Sequence, residues 1–289
     1  MDARGQAATI VNACRRDGGG GSPTAVLDDR PMTDAERRAV PVRMGTSHAV
    51  FLSPGGDDHS CAAVSVRFFT AEGELPACGH GTVAALAVLA ERAGSDDFRV
   101  LLRTSKRVFS GGSVRDGNRF ECTFDPGPVE LRDATAEECE LMLPALGATP
   151  PAPGDGPRVA SVGRPRLLVP VADRAALAAL APDLDRLRAA CDELGLLGAY
   201  VHAMDGGRGA ARMFAPSIGV PEDIANANST ACLAAHLAGR GDIEITVDMG
   251  DALGAPSAVT AVARRGPSGP SVRVGGVAAI ERTTVLPLL

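Results

Sequence analysis

The sequence predicts an α/β protein of two similar halves, each wrapping sheet around one central helix, and three observations carry that expectation. Val83 to Ala90 is apolar on every side, which suits a helix enclosed by sheet rather than one lying on a surface. The segment leading into it recurs. Arg67-Phe68-Phe69 returns as Arg212-Met213-Phe214 and, after a three-residue insertion, Gly81 to Ala90 returns as Ser229 to Ala238. Midway, Asp125-Pro126-Gly127-Pro128 interrupts the strand pattern as a linker does. In the register of the repeat, Cys78 corresponds to Asn226 and His80 to Asn228.

Taken in order, Ala7 to Asn12 reads as a strand. The run Asp17 to Pro23 is a glycine-rich loop, and Thr24 to Leu27 is a second strand. Thr33-Asp34-Ala35-Glu36 is a capping box that opens a helix to about Val40. A strand with a polar lead-in follows over Gly45 to Leu52, then Val64 to Thr70. Beyond the first central helix, Arg99–Leu102, Val108–Ser110 and Arg119–Phe124 have hairpin-like spacing. After the linker come an amphipathic helix over Thr135 to Leu146, a loop over Ala148 to Pro157 and a strand over Arg166 to Val171. Helices over Arg174 to Leu180 and Leu184 to Glu193 precede a strand over Ala199 to Ala203. His202 and His236, in a predicted strand and helix, read as structural.

Composition narrows the function. The 289 residues, 45% of them hydrophobic, suffice for one large core or two of ordinary domain size. The net charge of −6 comes from interspersed acidic residues and arginines without a basic patch or acidic tail, so neither nucleic acid nor a membrane surface is an expected partner. A small molecule is. The central helix is too short to span a bilayer. Lys106 is the only lysine; a pyridoxal Schiff base would have to use it without any phosphate-binding glycine motif, so an enzyme with no cofactor is expected. The seven cysteines are odd in number and never form a C-x-x-C pair, which fits reduced thiols in the cytoplasm better than disulfides or structural zinc. No export signal is visible at the N-terminus. Asp57-Asp58-His59-x-Cys61 is too compact a cluster to hold a metal and reads as a loop, so no metal site is expected.

The chemistry concentrates where the polar run Glu74-Leu75-Pro76-Ala77-Cys78-Gly79-His80-Gly81-Thr82 enters the first central helix. A helix start presents free backbone N–H groups and the positive end of its dipole, which stabilise a carboxylate or a thiolate. These residues resemble the PhzF-like phenazine-biosynthesis family within the diaminopimelate epimerase-like fold. Arg67-Phe68-Phe69-Thr70 through Glu74-Leu75-Pro76-Ala77-Cys78-Gly79-His80-Gly81-Thr82 is similar to R-F-F-T…E-L-P-x-C-G-H-A-T. Arg212-Met213-Phe214-Ala215-Pro216…Gly219-Val220-Pro221-Glu222-Asp223 is similar to R-M-F-A-P…G-I-P-E-D. Weaker matches are Ser22-Pro23-Thr24-Ala25-Val26 and Gly254-Ala255-Pro256-Ser257 with Val272-Arg273-Val274-Gly275-Gly276. The resemblance covers nearly the whole chain. It implies two barrel-like halves with the active site between them, a homodimer, and proton transfer without a cofactor. It also implies that the strand after Gly276 returns to the first half, so the expected domains are 1–126 plus 276–289, and 127–275.

Two departures from the family pattern define the candidates. Where the family reads S-E-T-x-F, with its glutamate as acid/base, this chain has Thr46-Ser47-His48-Ala49-Val50-Phe51. Where the family reads E-D-P-A-T-G-S, it has Glu222-Asp223-Ile224-Ala225-Asn226-Ala227-Asn228. His48 is therefore the expected proton shuttle, since imidazole titrates near neutrality. The resemblance also assigns His80 and Asp223 to substrate binding and proton movement, although a helix-start histidine can be a plain cap and Asp223 can cap the second helix. Cys78 matches the first cysteine of two-base epimerases, or is a small buried thiol; its mate is replaced by Asn226, which carries no transferable proton. Gly79, Gly81, Thr82, Asn226, Ala227, Asn228 and Ser229 are expected around the substrate, with Thr230 as a further neutral donor. Together these residues suggest an isomerase that shifts a double bond by proton transfer in a small, amino-acid-derived unsaturated acid. A pyrroline or proline-like precursor in specialised or antibiotic biosynthesis is one such acid. The alternatives are a degenerate homologue that binds a small acid or a partner protein without turnover, and an epimerase or racemase.

Overall fold

In a computed structural model of the chain, the described residues are 5–54, 63–149, 156–266 and 269–286. The chain divides into two compact units, Met1–Asp125 with Gly275–Leu289, and Pro126–Val274. The first unit contains β1 (Gln6–Arg15), β2 (Ser22–Asp28), α1 (Asp34–Met44), β3 (His48–Ser53), β4 (Ala63–Phe69), β5 (Glu74–Leu75), α2 (Gly79–Ala93), β6 (Asp97–Arg103), β7 (Val108–Asp116) and β8 (Arg119–Phe124). The second holds β9 (Glu130–Asp133), α3 (Ala136–Leu146), β10 (Arg158–Val162), β11 (Arg164–Pro170), α4 (Arg174–Ala178), α5 (Leu184–Leu194), β12 (Ala199–Asp205) and β13 (Arg208–Ala215). It continues with β14 (Val220–Asp223), α6 (Ala227–Leu237), β15 (Ile243–Met249) and β16 (Ser257–Arg264), and β17 (Ser271–Leu286) then runs on into the first unit.

In the first unit the strands form a ring: β1 beside β2, β2 parallel to β3, β3 antiparallel to β4, β4 parallel to β6, then β7, β8 and β17, which pairs with β1. Helix α2 packs against β1, β2, β3, β6, β7 and β8. That is why its apolar residues have no solvent side: Val83 to Leu86 are fully buried, and Leu89 alone between Val83 and Ala90 is partly exposed. Each large aliphatic side chain buried this way contributes roughly 1.5–3 kcal/mol. Gly94, in the left-handed conformation at φ 61°, ends the helix by donating its N–H to the Ala90 and Glu91 carbonyls.

The second unit repeats the pairing sequence. β10 is antiparallel to β11, β11 parallel to β12, β12 antiparallel to β13, β13 parallel to β15 and β15 antiparallel to β16. Residues Arg67 and Arg212 hold matching places. Arg67 lies opposite Phe51 and makes a two-pronged bond to Glu74, at 2.9 and 2.6 Å. Arg212 lies opposite Val201 and does the same with Glu222, at 3.0 and 2.8 Å. Each guanidinium also sits over the ring two residues on, 5.0 Å from the centre of Phe69 and 4.8 Å from that of Phe214. The repeated Arg-x-Phe is thus a clamp that holds the strand before each central helix. Outside the strands, α1 packs through Val40 on Phe51 and Phe69 in the first unit. Helices α3, α4 and α5 bury Met142, Leu177 and Leu187 in the core of the second.

Three local expectations need correction. Helix α1 continues past Val40 to Met44 with Pro41 inside it. A proline removes one backbone donor, but Gly45 at φ 65° caps the final turn on the Pro41 and Val42 carbonyls, so the helix closes one turn later. Gly45 is consequently a cap and not strand, and β3 begins at His48. Helix α4 stops at Ala178 rather than Leu180. Strands β15 and β16 have no counterpart in the sequence reading, because their alternation shows as pairing only once they lie beside β13. The capping box at Thr33 forms as expected: Glu36 N donates to Thr33 Oγ1 at 3.2 Å and Thr33 N to Glu36 Oε2 at 2.6 Å.

Gly275 marks a close approach in the ring: a Cβ there would lie 1.8 Å from the backbone oxygen of Cys122. Gly275→Ala should therefore cost on the order of 3 kcal/mol in urea unfolding, and an unchanged midpoint would show that the two strands can separate freely.

Candidate active site

His48 is the first residue of β3, held beside Thr24 of β2 by parallel pairing. Its polar lead-in is fastened: Ser47 Oγ donates to the Pro23 carbonyl at 2.9 Å and lies 3.0 Å from Ser22 Oγ, while Thr46 Oγ1 donates to the His48 carbonyl at 3.0 Å. The imidazole thereby points at the start of α2, where His48 Nδ1 and His80 Nε2 share a hydrogen bond of 2.8 Å. The ring centres are 4.2 Å apart with planes at 75°. His80 Nε2 also lies 3.4 Å from Cys78 Sγ, which caps α2 by accepting the Gly81 N–H at 3.4 Å. Thr82 Oγ1 donates back to the Cys78 carbonyl at 2.8 Å.

This cluster is nearly dry, with His48, His80 and Cys78 only 5, 2 and 6% exposed. Burial first, and then the second imidazole, lower the basicity of His48 well below that of a free histidine. One hydrogen lies between the facing nitrogens, so one ring donates and the other accepts. Gly79 and Gly81 are buried at the helix start. A Cβ on Gly81 would come within 2.9 Å of the Phe68 ring and 3.0 Å of Cys78 Sγ, so only glycine admits the thiol and the ring together.

In the second unit, Asn226 caps α6 as Cys78 caps α2. Its Oδ1 accepts the Ser229 N–H at 2.9 Å, its Nδ2 donates to Asp223 Oδ2 at 2.9 Å, and Thr230 Oγ1 donates to its carbonyl at 3.0 Å. Tyr200 and Thr230 hydroxyls lie 2.8 Å apart beneath. Ala227 is fully buried and Asn228 is partly exposed at the first helical positions. Cys78, Gly79, His80, Gly81 and Thr82 thus have structural counterparts in Asn226, Ala227, Asn228, Ser229 and Thr230.

One residue here escaped the sequence reading, which saw Arg166 only as the first residue of a strand. The β11–β12 register sets Leu167 opposite Ala199, as the β2–β3 register sets Ala25 opposite Ala49. Arg166 therefore takes the place of Thr24, beside the position that mirrors His48. It is 2% exposed, and its guanidinium reaches Ser229 Oγ at 3.3 Å and the Arg164 carbonyl at 2.7 Å, while its Nε has no partner. Among the described residues no carboxylate pairs with it. A cation buried at the positive end of a helix without a counter-anion is costly. The signal in the sequence is an arginine opening the otherwise apolar run Leu167-Leu168-Val169.

His202 lies in β12 and His236 in α6. His202 is buried with an unpartnered Nδ1, and burial, then the like charge of His236, push its pKa down to about 4. The unfolded histidine takes up a proton below about pH 6.5 and the folded one only near pH 4, so stability present at neutral pH is lost on descending through that window. The contribution is on the order of 3 kcal/mol. Wild type should lose that much more than His202→Leu between pH 7 and pH 4 in chemical unfolding, and parallel curves would refute the assignment. Asp57, His59 and Cys61 lie outside the described residues. Cys14, Cys78, Cys122, Cys139, Cys191 and Cys232 are in no disulfide among the described residues, and no helix among the described residues is long and apolar enough to cross a membrane.

The two units, each a ring or run of strands on one central helix whose start carries polar groups, define a diaminopimelate epimerase-like protein. Residues 11–284 match the phenazine biosynthesis-like family PhzC-PhzF, and the chain belongs to that family. It is 30% identical to an uncharacterized isomerase of Deinococcus radiodurans, over 93% of this chain and 91% of that one. It is 32% identical to trans-2,3-dihydro-3-hydroxyanthranilate isomerase of Pseudomonas chlororaphis, over 82% of this chain and 83% of that one. A predicted epimerase of Pseudomonas aeruginosa superposes with a TM-score of 0.82 at 28% identity, covering 98% of this chain and all of that one. The protein is an isomerase.

Proposed function

We propose that this isomerase moves a double bond by proton transfer, without a cofactor, in a small unsaturated acid derived from an amino acid. The reading rests on the hydrogen bond between His48 and His80, two imidazoles facing each other at the start of α2. The unprotonated nitrogen accepts a proton from carbon, the electron pair moves through the conjugated bond, and the proton returns to a carbon further along. One base with access to both carbons suffices. His80 and Asp223 assist the transfer. Backbone N–H groups at Gly79 and Ala227 hold the carboxylate, and Arg166, buried without an anion of its own, adds the charge. Cys78, Gly81, Thr82, Asn226, Asn228 and Ser229 shape the surroundings.

An isomerase whose name describes a dihydro-hydroxyanthranilate, an unsaturated amino acid, supports the substrate class; a pyrroline or proline-like acid in antibiotic or other specialised biosynthesis has the same features. The free thiols fit work in the cytoplasm, and a homodimer is the expected assembly, to be measured by sedimentation. Asn226, in the position of the second epimerase cysteine, speaks against two-base epimerisation. The test is proton NMR in deuterated water with trans-2,3-dihydro-3-hydroxyanthranilate and pyrroline-2-carboxylate as probes. Carbon-bound hydrogen should exchange in at least one. Wild type that exchanges neither, or that inverts a stereocentre without moving the double bond, overturns the reading.

A further inference from the structure

We propose that His48, Cys78 and His80 also form a three-ligand site for a thiophilic divalent cation of the zinc class, with water or an anion as fourth ligand. The site goes beyond the isomerase reading and does not depend on it. Two elements supply the donors, β3 through His48 and the start of α2 through Cys78 and His80. Their donor atoms all lie within 4.8 Å of one another, and all three side chains are buried.

Tetrahedral zinc, with bonds of about 2.0–2.1 Å to nitrogen and 2.3 Å to sulfur, sets nitrogens about 3.3 Å apart and nitrogen and sulfur about 3.6 Å apart. Here the nitrogens are 2.8 Å apart, and Cys78 Sγ is 3.4 Å from His80 Nε2. The imidazoles need separate by about half an ångström, and Cys78 Sγ, within 4.8 Å of the His48 nitrogen, has to settle at about 3.6 Å from it. Binding forms bonds from the cation to one sulfur and two nitrogens. It releases the thiol proton, and the hydrogen held between the rings moves to the donating ring's other nitrogen. A thiolate and a dication leave a net positive charge at the positive end of α2, which favours an anion such as chloride or a carboxylate in the fourth position. Two of the described thiols compete poorly: burial pushes Cys122 up to about 12 and Cys191 up to about 11, holding both protonated. Occupancy removes the hydrogen bond that the proton transfer uses.

The experiment titrates Co²⁺ into reduced, metal-free protein under nitrogen, in a Cys139→Ser background that removes the partly exposed thiol among the described residues. One equivalent should bring up a thiolate-to-cobalt charge-transfer band and the intense visible bands of a tetrahedral ion, and Zn²⁺ should displace it. Cys78→Ser should lose the charge-transfer band, and His48→Asn should weaken Co²⁺ binding by more than about tenfold. X-ray absorption on the zinc-loaded protein should show one sulfur and two imidazole nitrogens, a readout that needs neither a further variant nor turnover. Absence of the band, its survival in Cys78→Ser, or an oxygen-only shell overturns the site. Failure of deuterium exchange with the band intact would overturn the double-bond-shift reading alone.

Discussion

His48→Ala should slow deuterium exchange into the substrate by about 10²–10⁴-fold, the usual worth of a positioned acid/base, while leaving the fold intact. His48 opens β3, and its backbone is held by Thr46, Ser47 and the parallel pairing with Thr24, none of which uses the imidazole. Removing the ring strips the proton carrier and leaves His80 without its 2.8 Å partner. His48→Glu separates chemistry from packing. It restores the carboxylate that the family resemblance places at this position, and should recover exchange that His48→Asn, similar in size but unable to carry a proton, does not. Equal exchange in wild type and His48→Ala, measured by NMR, would remove His48 from the mechanism.

Arg166→Met should raise KM by roughly ten- to a hundredfold, the loss of a hydrogen bond to a charged group, with a smaller effect on kcat. It should leave resistance to urea unchanged or improved. The two outcomes share a cause. Among the described residues the guanidinium has only Ser229 Oγ and the Arg164 carbonyl for partners, so an apolar side chain of similar length relieves an uncompensated buried charge. With substrate bound, that same charge gains its anion. An ordinary structural arginine would behave in the opposite way, its loss lowering stability and sparing KM, and that result would return Arg166 to the core.

The contrast between these residues shows where sequence reasoning reached its limit. Arg67 and Arg212 were visible as a repeat, and each makes its carboxylate clamp within its own strand and turn, ten residues or fewer along the chain. The two helix starts were visible in the sequence, but the caps are Cys78 and Asn226, each accepting an N–H three residues on, rather than His80 and Asp223. The meeting of His48 with His80 spans 32 residues, and that of Arg166 with Ser229 spans 63. The family resemblance marked His48 and His80 separately. Nothing in either local stretch says that their nitrogens touch.

Local chemistry in the sequence was enough to determine the two central helices, the duplicated Arg-x-Phe and the family, because each depends on residues within a few turns of one another. Tertiary structure alone decided the pairing of the two imidazoles, the thiol set against them, and the buried guanidinium of Arg166 beside Ser229 at the start of α6. Those contacts are fixed by which strand lies beside which and in what register, and a shift of one residue would turn His48 or Arg166 to the other face of its sheet.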